Sequence, residues 1–340
     1  MKRGAIIGLG NVAANGHLPG WLARPDITIV AAADADPGRR ACLQGAGQDV
    51  AWYADADALL AEETLDFVDI CTPPAAHAAL IRAALEADLN VLCEKPLVTC
   101  AEDAVPLIAL ARARGHAVHT VHNWLYAPPA RAITAALSRG EVGRVQRLRW
   151  ETLRTKPAVT VVSDGAINWR TDPAIAGGGI LVDHGWHALY CVARWMGVAP
   201  ETVAARLETR KHREWQLEDT ATVTLAGAGV TAEIFLSWAA ASRENSVVVE
   251  GSDGALHLEG ATLTVTAAGR PSEARPCPPA LSEGSHHPDR FAGVVDDFLA
   301  ALDAETPCDV ANLAEADLCA RLIAGAKASD AAGGVPVPVA

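Results

Sequence analysis

No stretch of this 340-residue chain approaches the roughly 20 consecutive apolar residues that a membrane-spanning helix needs, so a helical membrane protein is not expected. Basic charge is also scarce. Lys and Arg total 28 against 41 Asp and Glu, a net charge of −13. With no basic stripe to release counterions, a nucleic-acid partner is not expected either. Cysteine pairs are missing: Cys42, Cys71, Cys93, Cys100, Cys191, Cys277, Cys308 and Cys319 are scattered, with no C-x-x-C. That argues against a zinc knuckle and against a disulfide framework. The cysteines read as small buried hydrophobes in a reducing compartment, although Cys93, two residues before Lys95, could be a reactive thiol. Internal repeats and low-complexity tracts are absent. The N-terminus enters a strand by about Gly4, which leaves no room for a signal peptide, and the expected location is the cytoplasm.

What is present is ordinary for a globular protein: half the residues are apolar and a fifth charged. The length makes two domains the default. In the first third, short apolar strands alternate with helical stretches, as in parallel βαβ units. Ala5-Ile6-Ile7, residues 27–33, Phe67 to Cys71, Asn90 to Cys93 and His116 to Val121 read as strands. Leu80 to Ala87 and Ala101 to Arg114 read as helices, the latter closed by Gly115. Beyond about Asn123 the stretches Val145 to Leu153, Val203 to Glu208, Ala221 to Leu225, Val230 to Trp238, Val247 to Glu250 and Ala255 to Glu259 predict an antiparallel sheet joined by hairpins. One helix after Gly179 interrupts it, and a helical section from about Phe291 to Ala328 closes the chain. The predicted domains are 1–123 and 124–340: an α/β Rossmann domain, then an α+β domain with an open, mostly antiparallel sheet.

Three separated motifs carry chemistry. Gly8-Leu9-Gly10-Asn11-Val12-Ala13 follows a strand and opens a helix. A dinucleotide's pyrophosphate needs such a close backbone approach and a helix N-terminus aimed at it. Asp34, ending the second strand, stands where a carboxylate would bind the adenosine ribose hydroxyls and repel a 2′-phosphate. That favours NAD over NADP, although Arg39 and Arg40 lie close enough to accommodate the phosphate, and Asp34 could instead be a solvated turn residue.

The second motif is Glu94-Lys95-Pro96 at a strand end; the third is Gly177-Gly178-Gly179 followed by Asp183-His184-Gly185-Trp186-His187. Asp183 and His187 are four apart and would share one helix face. Oxidising a secondary alcohol requires removal of the hydroxyl proton as hydride leaves the same carbon. A histidine suits that base role, with a carboxylate to orient it, and Lys95 can hydrogen-bond the oxygen. The bland readings are a surface ion pair for Asp183 and His187 and a turn for Lys95-Pro96. A metal site at Asp183, His184 and His187, with His286 and His287 as distant donors, competes, but neighbours on a helix diverge and no metal is expected.

Together these motifs resemble the Gfo/Idh/MocA oxidoreductases. The likeness adds Thr72-Pro73-Pro74 with His77, Trp169-Arg170, Glu218-Asp219-Thr220-Ala221 and the turn Gly251-Ser252-Asp253-Gly254. It implies sugar, cyclitol or related polyol substrates and an oligomer, a homodimer or homotetramer, built through the open sheet. It also implies a catalytic group of Lys95, Asp183 and His187, with His187 the proton acceptor. Gly8, Gly10, Asn11, Val12, Asp34, Thr72, Pro74, His77 and Glu94 would line the dinucleotide. Asn123, Trp169, Arg170 and His184 would face the substrate, with His286 or His287 as further candidates. Many relatives carry Asn-x-Arg-Phe where this chain has Asn123-Trp124-Leu125-Tyr126. Trp124, Trp169 and Trp186 could stack on sugar faces or pack in a core. The resemblance leaves open transient oxidation with no net redox, and a non-catalytic NAD or sugar sensor.

Overall fold

Strands that are apolar on both faces need cover on both faces, and the first unit supplies it. The computed structural model describes residues 1–44, 49–159, 168–284, 288–309 and 311–340. Among these, β1 (Lys2–Ile7), β2 (Ile27–Ala33), β3 (Ala51–Tyr53), β4 (Phe67–Ile70), β5 (Asn90–Cys93) and β6 (Val118–Thr120) form a parallel sheet in the order β3-β2-β1-β4-β5-β6. This is the doubly wound arrangement, whose order reverses between β1 and β4; a ligand crevice lies outside the strands' carboxyl ends at that switch point. The strand Ala51–Tyr53 escaped the sequence reading because three half-buried residues show no periodicity.

The contacts divide the chain into two compact units, 1–123 with 285–320, and 124–159 with 168–284 and 321–340. Residues 288–309 and 311–320, which the sequence assigns to the second domain, therefore pack in the first unit. The cause is aromatic. Phe291 and Phe298, on the helix Pro288–Leu302, lie with Trp21 at centroid distances of 5.6 and 6.3 Å, and Phe298 lies 5.5 Å from Phe67. Each phenyl buried contributes about 2 kcal/mol or more. Gly20 is needed here, since a Cβ would meet the Phe291 ring at 2.5 Å. The terminal helical section is two helices, Pro288–Leu302 and Ala311–Ala331.

In the second unit, β7 (Val145–Leu153), β8 (Thr202–Glu208), β9 (Thr220–Gly227), β10 (Val230–Ser237), β11 (Glu244–Gly251), β12 (Gly254–Glu259), β13 (Thr262–Ala267), β14 (Glu273–Pro276) and β15 (Val337–Pro338) form one sheet. Its order is β14-β13-β12-β11-β7-β10-β9-β8-β15. The hairpin expectation holds for β8 to β10 and for β11 to β14. It fails at the middle, where β7 inserts between β10 and β11 and runs parallel to β10. Hairpin signals report only sequence neighbours, so this insertion leaves no local trace.

Asp219 anchors the start of β9. Its carboxylate, fully buried, accepts from the backbone N–H groups of Arg210 (2.9 Å), Lys211 (2.7 Å) and His212 (2.8 Å). Burial would raise its pKa, but these donors outweigh it and hold the carboxyl below its ordinary value. Its stabilisation is therefore present above the unfolded pKa and lost as pH falls through the folded one. Asp219→Ala should cost about 3 kcal/mol by stranding those donors, read as a lowered urea midpoint.

Candidate active site

The chain's glycine loop follows β1 directly. Gly8 has φ +92°, and a Cβ there would lie 2.8 Å from the Thr72 amide nitrogen and 2.9 Å from the Cys71 carbonyl carbon. Only glycine lets the loops after β1 and β4 approach this closely. At Gly10 a Cβ would meet no heavy atom within 4 Å, which leaves open space over the first turn of the helix carrying Asn11 and Val12. That turn's N–H groups lack intrahelical acceptors, as at any helix start. Thr72 Oγ1, buried nearby in sequence terms at the β4 end, has no hydrogen-bond partner among the described residues. An open cradle, helix donors and an orphaned hydroxyl fit a dinucleotide's pyrophosphate.

Asp34 closes the loop from the other side. One carboxylate oxygen accepts from Leu9 N (2.7 Å) and the other from Asp36 N (2.8 Å). Each oxygen keeps a lone pair for a ribose hydroxyl. The solvated-turn reading of Asp34 is thus replaced by a carboxylate bound to the loop itself. Arg39 lies 3.5 Å from the Asp36 carboxylate.

Two strand-end loops continue the site. Pro74, buried, opens a short 3-10 turn before the helix His77–Glu86. His77 is fully buried, its Nδ1 2.7 Å from Pro96 O and its Nε2 2.9 Å from Thr72 O. The ring thus ties the loop after β4 to the loop after β5. Burial pushes its pKa down against both carbonyls. Glu94 follows β5 and accepts the Lys95 N–H at 3.0 Å. Lys95 stands at the carboxyl end of β5, and the Lys95–Pro96 peptide is cis. The Cys93 thiol is fully buried and its pKa is pushed well up by that burial, which makes it packing and not a reactive thiol.

In the second unit the glycine run serves a close crossing. A Cβ on Gly179 would lie 1.9 Å from Glu218 O. The same Glu218 accepts from Gly179 N (2.8 Å) and Leu181 N (3.1 Å) through its carboxylate. Burial, the main influence on it, raises the pKa of this carboxyl. The single helix expected after Gly179 is two, Ile180–Asp183 and Gly185–Met196, with His184 at the junction. Asp183 and His187 therefore sit on successive helices, joined through His184, whose backbone is itself right-handed helical.

Asp183 has His184 Nδ1 3.2 Å from Oδ2 and Arg170 Nε 3.9 Å from Oδ1. The Arg170 guanidinium lies over the Trp169 ring at 4.2 Å. The sequence thus gathers Asp183, His184, Trp169 and Arg170 into one cluster. His187, 6% exposed, places Nδ1 2.8 Å from the Tyr190 hydroxyl and stacks on Trp124 at 4.5 Å and 6°. Tyr190 Oη also accepts the Trp124 N–H at 3.0 Å. Trp124 and Trp186 are buried and serve as packing; Trp169 is half-buried. In the first unit Asn123 Oδ1 is buried without a partner among the described residues. His286 and His287 lie outside the described residues.

Sequence reasoning missed two residues here. Tyr190 is three after His187, the spacing of one helix face, and could have been found that way. Arg154 gives no local signal. It is buried just past β7 and donates to Leu153 O, Glu244 O and Asn245 Oδ1. Burial first, then Arg243, lower its pKa to about 9, with Asp183 opposing.

Comparison with known proteins identifies the family. Residues 2–122 match the Gfo/Idh/MocA oxidoreductase family, NAD-binding Rossmann fold, and residues 130–257 match the Gfo/Idh/MocA C-terminal domain. The chain is 31% identical to D-apiose dehydrogenase of Paraburkholderia graminis, over 75% of this chain and 67% of that one. It is 30% identical to dTDP-3,4-didehydro-2,6-dideoxy-α-D-glucose 3-reductase of Streptomyces antibioticus, over 88% of each. The crystal structure of GenD2 from gentamicin A biosynthesis, in complex with NAD, superposes with a TM-score of 0.80 at 26% identity, covering 99% of this chain and 96% of that one. The fold, the glycine cradle and both family matches place this chain in the Gfo/Idh/MocA family of NAD-binding oxidoreductases.

Proposed function

We propose that this protein transfers hydride between a secondary hydroxyl of a sugar, cyclitol or related polyol and the nicotinamide of NAD. The observation that carries the reading is Lys95 at the carboxyl end of β5, in a doubly wound sheet whose switch-point loop is a dinucleotide cradle. The relatives named for D-apiose and for a dTDP-linked keto sugar support the substrate class. The Asp34 carboxylate supports NAD over NADP.

The bound nicotinamide supplies the hydride acceptor. His187 takes the hydroxyl proton on Nε2, which requires its other proton on Nδ1, with Tyr190 Oη as acceptor. Lys95 hydrogen-bonds the same substrate oxygen and stabilises negative charge developing on it. Asp183, held by His184 and Arg170, orients the substrate. Asn123, Trp169, Arg170 and His184 line the polyol. Gly8, Gly10, Asn11, Val12, Asp34, Thr72, Pro74, His77 and Glu94 form or brace the cofactor cradle. The first unit binds the dinucleotide, and the second carries the polyol site and the subunit contacts of a homodimer or homotetramer. A cytoplasmic location is in keeping with eight cysteines that form no disulfide among the described residues.

The test is NADH formation, followed by near-ultraviolet absorbance, with NAD and NADP in parallel against inositols, aldoses, sugar acids and amino sugars. A signal with NAD and one polyol is the expected result. Silence across the panel with both cofactors sinks the net dehydrogenase, and nucleotide retained through purification would then indicate transient oxidation.

A further inference from the structure

A second buried cluster lies in the first unit, behind the Glu94-Lys95 corner, and the mechanism above does not use it. At its centre is His17, 1% exposed, at the end of a π-helical widening (Ala13–His17) of the helix that follows the glycine loop. Its Nδ1 lies 2.9 and 3.1 Å from the two carboxylate oxygens of Asp69 on β4. Its Nε2 lies 3.0 Å from Glu94 Oε1, beyond the end of β5. Trp21 Nε1 donates to Asp69 Oδ2 at 2.7 Å, the Cys71 Sγ stands 3.1 Å from Nδ1, and Phe291 stacks on the ring at 4.0 Å. The other Glu94 oxygen, Oε2, accepts the backbone N–H of Lys95.

A neutral imidazole has one N–H and one lone pair. Here both ring nitrogens face carboxylate oxygens, so a neutral ring would set a lone pair against a buried carboxylate. Burial alone would lower the pKa of His17, but Asp69 and the Cys71 thiol outweigh it and hold the ring well above its ordinary value. Glu94 is the mirror case: burial would raise it, and the bond and charge of His17 hold it below the usual carboxylate range. The result is a line of alternating charge, Asp69 carboxylate, His17 imidazolium, Glu94 carboxylate, ending on the Lys95 main chain.

We propose that His17 is a positioning residue for Lys95, acting by fixing the Glu94 carboxylate that receives the Lys95 backbone N–H. The role rests on the hydride-transfer reading for Lys95, but the line of contacts does not. Its members are 17, 69 and 94 in sequence, on a helix and two strand ends, so the sheet brings them together. The trio His17, Asp69 and Cys71 is close enough to hold a metal ion. Yet its nitrogen and oxygens stand at hydrogen-bond distance and face each other, which is the geometry of a protonated ring.

Two measurements test the proposal, one independent of turnover. Histidine 15N NMR of the wild-type protein at pH 8 should show both His17 nitrogens protonated, and the Lys95 amide proton should be shifted downfield and slow to exchange. A neutral His17 ring, or stoichiometric zinc bound at the cluster, overturns the relay whatever the substrate proves to be. With the polyol found by the survey above, His17→Gln and Glu94→Gln should each lower kcat about 10- to 100-fold. For His17→Gln, which lies outside the cofactor cradle, the NAD Kd should stay within about threefold of wild type. Because His17 acts through Glu94, the double variant should be no slower than Glu94→Gln alone. Losses that multiply, or that track thermal stability and fall equally on the NAD Kd, would mean that His17 is only a packing residue.

Discussion

Lys95→Met is expected to lower turnover on the order of 1,000-fold while leaving the NAD Kd within about threefold. Methionine keeps the unbranched stem of lysine and removes its charge and donors, so the loop after β5 keeps its course. The glycine cradle and Asp34 lie on other strand ends and should hold the dinucleotide as before. The measurement is a kcat and Kd pair, by stopped-flow hydride transfer and by nucleotide titration. A large loss in kcat with Kd preserved places Lys95 at the reacting oxygen. Unchanged turnover removes it from the mechanism.

The second large effect concerns Gly179. Gly179→Ala drives a methyl to 1.9 Å from a backbone oxygen, and the obstacle is main chain that cannot swing aside. The oxygen belongs to Glu218, which also receives the Ile180 N–H at 3.2 Å. Relief requires the helix Ile180–Asp183 and the entry to β9 to move apart, breaking that bond and the two carboxylate bonds to Gly179 N and Leu181 N. The expected cost is about 3 kcal/mol, with a further loss of turnover because Asp183 rides on the displaced helix and His187 on the one that follows it. Urea unfolding and kcat measured on one preparation decide it. A variant with unchanged midpoint and activity would falsify the close crossing.

Much of the first unit was legible in the sequence. Asn90–Cys93 and Ala101–Arg114 have the bounds read from apolar runs and from Gly115, whose left-handed φ of 71° ends the helix. The glycine loop, Asp34, Lys95, Asp183 and His187 stand out in the sequence because each belongs to a short motif with a chemical reason; the roles proposed for them await the kinetic tests above. Other features depend on distant residues. Phe291 shows an apolar helix face but not that Trp21 receives it. His187 was visible, whereas the division of its helix at His184 was not. His17 and Asp69 look unremarkable singly, and only the packed sheet brings them into one line with Glu94.

The central place of β7 governs the order in which the chain can be completed as it is made. Val145–Leu153 leaves the ribosome with both edges unpaired, and its partners β10 and β11 follow about 80 to 100 residues later. At roughly 5–20 residues per second that is several seconds of exposure. Arg147, Arg149 and Glu151, alternating with the buried Leu148 and Trp150, put charge on a strand that must wait, which discourages pairing with other nascent chains. The N-terminal unit waits longer still, since Trp21 and Phe67 stay uncovered until Phe291 and Phe298 arrive. A fragment ending at residue 123 should therefore aggregate on synthesis, read as insoluble product, because it lacks the phenyl rings that cover Trp21 and Phe67.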